Sequence, residues 1–142
     1  MNAQPDHENS ADSIVEVAET ISPRAVFLCI AGVLIPGLGH AVLRKWDRAV
    51  VFFFSIVCLF SLGLYLQGEL FSPAADTIFS MLKFIADAGS GLIYWIFWLS
   101  GYGSGDPTVY TYDYANVFLY VAGLLNMLVV IDVFDIAMGR KQ

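Results

Sequence analysis

The sequence predicts an all-helical membrane protein with a short acidic N-terminal tail, and three observations carry that prediction. Four apolar stretches occupy residues 25–43, 49–66, 77–99 and 115–137. Each is close to the ~20 residues that cross ~30 Å of hydrocarbon at ~1.5 Å per residue. The 142-residue chain is 58% hydrophobic and only 14% charged, against roughly a quarter charged in soluble domains. A water-soluble fold of this length could not enclose so much apolar surface. The charge is also segregated. Asp6, Glu8, Asp12, Glu16 and Glu19 precede the first basic residue, Arg24, so most of the net charge of −6 belongs to the tail. That balance argues against nucleic acid as a partner.

The chain divides into a tail, 1–22, and a helical transmembrane domain, 23–142. Residues 1–12 are polar and expected to be disordered. Ser13 and Glu16 have capping-box spacing, and Ile14, Val17, Ala18 and Ile21 then share one helical face. This is either a marginal solvated helix or a docking helix. An acidic helix is repelled by anionic lipid, so a protein would be its partner. The tail lacks the basic-then-apolar order of a cleavable signal peptide, so the first apolar segment is expected to be retained.

Pro23 suits the first turn of a helix, and the apolar run from Ala25 then meets Pro36-Gly37-Leu38-Gly39-His40. Proline removes a donor and clashes with the preceding turn, so a kink or break is expected there. Freed backbone groups at that depth must find protein, water or a polar cavity. Arg44, Lys45 and Arg48 form the densest basic cluster and should anchor a tight turn at the cytoplasmic surface, pairing the first two segments as a helical hairpin. Trp46 and Tyr65 sit at the two interfaces of segment two. Segment three is interrupted by Asp76, Lys83, Asp87 and Gly89-Ser90-Gly91. Lys83 and Asp87, one turn apart, can pair. The segment either crosses imperfectly or enters the membrane without traversing it. Residues 101–107 form a Gly/Ser/Asp/Pro loop, and Tyr110, Tyr112 and Tyr114 return the chain to the headgroup level. Segment four ends at Gly139, a helix terminator followed by Arg140-Lys141. Four complete crossings would put those two cations opposite the Arg44–Arg48 cluster, against the positive-inside rule. A third segment that fails to cross removes the conflict.

Within segment four, Asp132 and Asp135 are spaced to share a side. They either reach the interface and pair with Arg44, Lys45 or Arg48, or form a proton or cation path with His40. Asn116 and Asn126 are polar residues on the same helix, and Asn126, mid-membrane, must hydrogen-bond another helix or backbone freed by Pro36. His40 could ligate haem, a pigment or a metal, or serve as an interfacial hydrogen-bonding group. Cys29 and Cys58, each inside an apolar segment, read as small hydrophobes. No nucleophile elbow, phosphate loop, zinc pattern or dinucleotide fingerprint is present, so no enzyme activity and no obligatory cofactor is expected.

The Pro36–His40 turn with Arg44-Lys45 and the following span resembles the proline-glycine hairpin of small bacterial membrane proteins, distantly similar to the two-transmembrane domain group. Together with Tyr112–Asn116, Ala122–Asn126, Asp132, Asp135–Ala137 and Gly139–Lys141, it resembles an uncharacterised bacterial inner-membrane family over residues 24–141. The resemblance implies a multi-pass protein of the bacterial inner (cytoplasmic) membrane and supplies no activity. The functional expectation is a non-enzymatic scaffold or small accessory subunit of a larger membrane complex. Its partners would be lipid and either other membrane subunits or a second copy. In that role Pro36, Gly37 and Gly39 shape the hairpin, Arg44, Lys45 and Arg48 anchor it, and Asn116, Asn126, Asp132 and Asp135 face the bundle interior or a partner. The alternatives are a lipophilic-cofactor module centred on His40 (haem, pigment or quinone), or ion or proton translocation through Asp132, Asp135 and His40.

Overall fold

Proline and glycine punctuate two of the four apolar segments, and the chain bends where they stand. The computed structural model describes residues 22–74 and 77–140. The tail helix and Asp76 therefore lie outside the described residues. Among the described residues there are six helices: α1 (Pro23–Leu34), α2 (Leu38–Val42), α3 (Trp46–Tyr65), α4 (Ile78–Ala88), α5 (Leu92–Leu99) and α6 (Tyr112–Ala137). Only α3 and α6, of 20 and 26 residues, are individually long and apolar enough to cross a membrane. The expectation of four hydrophobic helices is corrected accordingly. Residues 25–43 and 77–99 are each split in two.

Helix α6 is the axis of the molecule, with α1, α3 and α4 packed along it. Small residues set these approaches. A side chain on Gly63 would come within 2.6 Å of Leu119, and one on Gly68 within 2.8 Å. Those glycines bring α3 against α6 in antiparallel register, with Arg48 near Asp132 at one end and Leu66 bonded to Thr111 at the other. The core is built there, from Ile56, Phe60, Leu119, Ala122 and Tyr94 among others.

Helix α1 is also antiparallel to α6, since Cys29 faces Val130 and Val33 faces Asn126. It follows that α1 runs the same way as α3, so segments one and two do not pair as a hairpin of two spans. Twelve residues reach only about 18 Å. At Ile35 the backbone becomes extended, and at Gly37 it is left-handed, with φ of 78°. A side chain on Gly37 would strike the Ala49 carbonyl at 2.6 Å, which is why glycine follows Pro36. The chain then doubles back through α2 to Asp132, making segment one a re-entrant hairpin with its tip at mid-depth.

Segment three repeats the device from the opposite side. Helix α4 descends beside α6, with Ala86 against Gly123 and Gly89 against Met127. Gly91, at φ 73°, turns the chain, and α5 leaves at 112° to α4. Its end returns to the level where the pair entered: the Leu70 N–H donates to the Gly103 carbonyl, and Glu69 bridges Ser104. The described residues hold two helices long and apolar enough to cross a membrane, or three if the bent pair α4 and α5 counts as one span. Arg44, Lys45, Arg48 and Arg140 share one end of the bundle, called here the basic end, as the positive-inside rule expects.

Candidate functional site

At the basic end, α2 delivers His40 to α6. Gly39 permits this, because a side chain there would sit 2.7 Å from Val133. His40 is fully buried. Its Nε2 lies 3.0 Å from Asp132 Oδ2, and its ring rests on Phe52 at 5.2 Å. Arg48 Nη1 stands 3.6 Å from the same carboxylate oxygen. Arg48 is half-exposed, so its share of the pairing is small. The buried His40–Asp132 contact is the stronger tie, and it fastens the returning leg of the first hairpin to α6. Asp135, half-buried, lies one turn further on, and Gly139 then ends the helix. There the Arg140 N–H donates to the Asp135 carbonyl and that of Gly139 to the Ile136 carbonyl, a Schellman cap.

At mid-depth the two hairpin tips meet. Asn126 Nδ2 donates to the Gly89 carbonyl at 2.8 Å and, at the long distance of 3.4 Å, to the Val33 carbonyl. Both carbonyls belong to helix ends that have run out of partners, and one amide joins them. Gly91 is packed into the first hairpin: a side chain there would meet the Val33 carbonyl at 2.1 Å. Gly123, one turn before Asn126, would strike the Ala86 carbonyl at 1.7 Å if it bore a methyl. Close backbone approach through small residues is the usual means of helix association in lipid.

At the far end, Asn116 Oδ1 accepts the Glu69 N–H at 2.7 Å. Tyr112 donates its hydroxyl to the Glu69 carboxylate, and Thr111 Oγ1 donates to the Leu66 carbonyl at 2.8 Å. In the connecting loop, Asp106 accepts both the N–H and the hydroxyl of Thr108.

The structure therefore brings His40, Arg48 and Asp132 together, and uses Asn126 to tie α6 to the ends of α1 and α4 and Asn116 to tie it to the loop after α3. Arg44 and Lys45 remain in the turn before α3, with Arg44 at φ 61°. Lys83 and Asp87 do not form a direct ion pair. Asp87 Oδ2 instead accepts the Phe71 N–H at 3.1 Å, and the Lys83 ammonium stands 4.5 Å over the Phe71 ring. Sequence reasoning passed over Glu69, which takes part in the far-end polar group, and over Ser90 and Tyr120, whose buried hydroxyls have no hydrogen-bond partner among the described residues. Ser90 was readable only as part of a glycine break, and Tyr120 as one more aromatic in a span.

A further surface follows from the packing. Val117, Val121, Leu124, Leu128 and Ile131 are all exposed along α6. They recur at alternating spacings of four and three.

The chain belongs to a family of unknown function (DUF6677), whose model matches residues 27–142. No curated protein and no solved structure is significantly similar to it.

Proposed function

We propose that this member of a family without an assigned activity is a non-enzymatic integral membrane protein. In this reading it is a small accessory subunit that works by packing against a helix of another membrane protein. One observation carries the reading: the unbroken apolar seam from Val117 to Ile131 on α6, the longer of the two helices long and apolar enough to cross a membrane. Its four-three spacing is that of a coiled-coil seam, and it spans about 21 Å at 1.5 Å per residue. Polar groups are spent elsewhere, on ties within the chain, so this face offers only shape and van der Waals contact. In lipid that is what drives helix association. Exposed Tyr110 and Tyr114 stand at its outer end, their rings 6.2 Å apart.

The experiment is site-directed cross-linking in native membrane from Leu124→Cys, in a chain whose own cysteines are replaced. The expected outcome is a defined adduct, a partner protein or a second copy, that a cysteine on the buried face, at Leu119, does not give. Native mass measurement in mild detergent that finds only monomer, together with no adduct in membrane, refutes the proposal.

A second reading, a module for a lipophilic cofactor, draws on a different observation. The tip of the first hairpin leaves an apolar groove of about 320 Å³ lined by Leu34, Phe53, Phe60, Ile93 and Phe97. His40 is enclosed against Asp132 and Phe52 and does not line it. The ligand of that reading is a tail such as a quinone's rather than a ring held by histidine. Organic extraction of the purified protein followed by mass spectrometry separates the two readings.

A further inference from the structure

We propose that the junction of α4 and α6 is a binding site for a small monovalent cation of sodium size, held by oxygen atoms of Asp87, Ser90 and Tyr120. Asp87 is completely enclosed. Its Oδ2 takes the Phe71 N–H, and its Oδ1 has no hydrogen-bond partner among the described residues. Ser90 Oγ and Tyr120 OH are buried and unpartnered in the same sense. Native structures leave few such atoms without protein, water or an ion to satisfy them.

The elements that carry these groups are brought together for identifiable reasons. Ser90 follows Asp87 by one turn, with its N–H on the Asp87 carbonyl. Gly123 admits the α4 backbone at Ala86 and Ser90, and Tyr120 lies one turn away on the same face of α6. Phe71 closes the site, with its N–H on Asp87, its carbonyl accepting the Tyr94 hydroxyl at 2.6 Å, and its ring 6.2 Å from that of Tyr120. Asn126 Oδ1, also buried and unpartnered among the described residues, lies farther along α6.

The donor set decides the ligand class. Oxygen atoms alone suit hard s-block cations, not thiophilic or imidazole-seeking metals. Among the described residues no three His, Cys, Asp or Glu side chains gather at a metal centre, so Asp87 is the one carboxyl this donor set offers. One carboxyl and two hydroxyls supply at most one negative charge, which a monovalent ion balances. A buried carboxylate without a cation is costly. The C-terminal end of α4 adds the negative pole of a helix dipole, as half-helix ends do at cation sites in transporters.

This inference does not depend on whether the α6 seam carries a partner. Its test is thermal unfolding of the full chain in detergent, with sodium chloride exchanged for choline chloride at constant ionic strength. A saturable rise in Tm with sodium is expected. Asp87→Asn abolishes it, and Ser90→Ala or Tyr120→Phe raises the half-saturating sodium roughly five- to tenfold. Should Asp87→Asn fail to fold, the two hydroxyl variants still decide the matter. A wild-type Tm that is flat in sodium overturns the proposal, as does a half-saturation that neither hydroxyl variant moves.

Discussion

Gly123→Ala adds one methyl to α6 and should separate α4 from the rest of the protein. The new carbon would lie 1.7 Å from the Ala86 carbonyl oxygen, 2.9 Å from its carbon and 3.1 Å from the Ser90 nitrogen. Carbon and carbonyl oxygen approach to about 3.3 Å at closest in ordinary packing, so α4 must retreat by roughly 1.5 Å. The obstacle is backbone, and no rotamer change relieves it. Overpacking of this kind costs about 1–3 kcal/mol. Retreat also stretches the Asn126–Gly89 bond, worth about 0.6–2 kcal/mol in a membrane. Alanine's better helix propensity returns about 0.5–1 kcal/mol. The net expectation is a loss of about 2–3 kcal/mol, a fall in Tm of roughly 5–10 °C, measured by circular dichroism or tryptophan fluorescence in mild detergent. Gly32→Ala is the internal control. Its new carbon would meet Val130 at 3.4 Å, ordinary contact, so only the propensity gain remains and Tm should hold or rise slightly. Equal behaviour of the two alanine variants would refute the account of α4 docking.

Other outcomes follow from the ties on α6. Asn126→Leu leaves the Gly89 and Val33 carbonyls unbonded and should cost about 0.6–2 kcal/mol, with hydrogen exchange rising first at both hairpin tips rather than in α3. Asp132→Ala strands the buried His40 and should destabilise by about 1–3 kcal/mol; Arg48→Ala, removing a half-exposed partner, should stay within ~0.5 kcal/mol in the same melt. In a cysteine-free background, Lys45→Cys and Arg140→Cys should react with a membrane-impermeant maleimide from one side, and Gln67→Cys and Gly101→Cys from the other. Labelling of Gly101→Cys together with Lys45→Cys would rule out the second re-entrant hairpin. Finally, the two hydrogen bonds from Thr108, side chain first, hold the Asp106 carboxyl below its ordinary range. A depressed folded pKa means that the turn's contribution is complete above the unfolded value. It is lost only as pH falls through the lower, folded one. The Thr108 amide should therefore keep its exchange protection down to pH below the ordinary carboxylate range.

How much of this was readable beforehand depended on range. Pro36 and Gly37 announce a break because a missing N–H and a left-handed turn are local properties, and the break is where they stand. Gly139 announces its cap for the same reason. Asp132 is expected from the sequence to pair with Arg44, Lys45 or Arg48, or to join a proton path with His40. Arg48 does stand 3.6 Å from it, but His40 is nearer at 3.0 Å, delivered by a turn that no spacing encodes. Asn126 was readable as a tie to backbone freed near Pro36, but its stronger bond goes to Gly89. That choice depends on α4 lying against Gly123 at Ala86, a contact distant in sequence that no periodicity encodes. The return of each hairpin was hidden likewise. Hydropathy measures how apolar a stretch is, and 19 apolar residues folded double look the same as 19 residues laid straight.

The two hairpins pose one energetic problem, which α6 solves. A helix that ends inside hydrocarbon exposes its last carbonyls where no water can reach them, at several kcal/mol apiece. One such end could be satisfied by its own turn. Two ends from opposite sides of the membrane, brought tip to tip, can share a donor, and Asn126 is placed at mid-depth to be that donor. The arrangement needs α6 to present Asn126 and Gly123 to the broken segments while Ala115 and Leu119 meet α3 at Gly63. The two long helices are therefore the framework on which the broken ones become stable. Neither hairpin could end at that depth in an isolated bilayer, because its carbonyls would face lipid. The half-length elements dock against a surface, made where α3 and α6 pair through Gly63 and Gly68, that holds their missing hydrogen-bond partner.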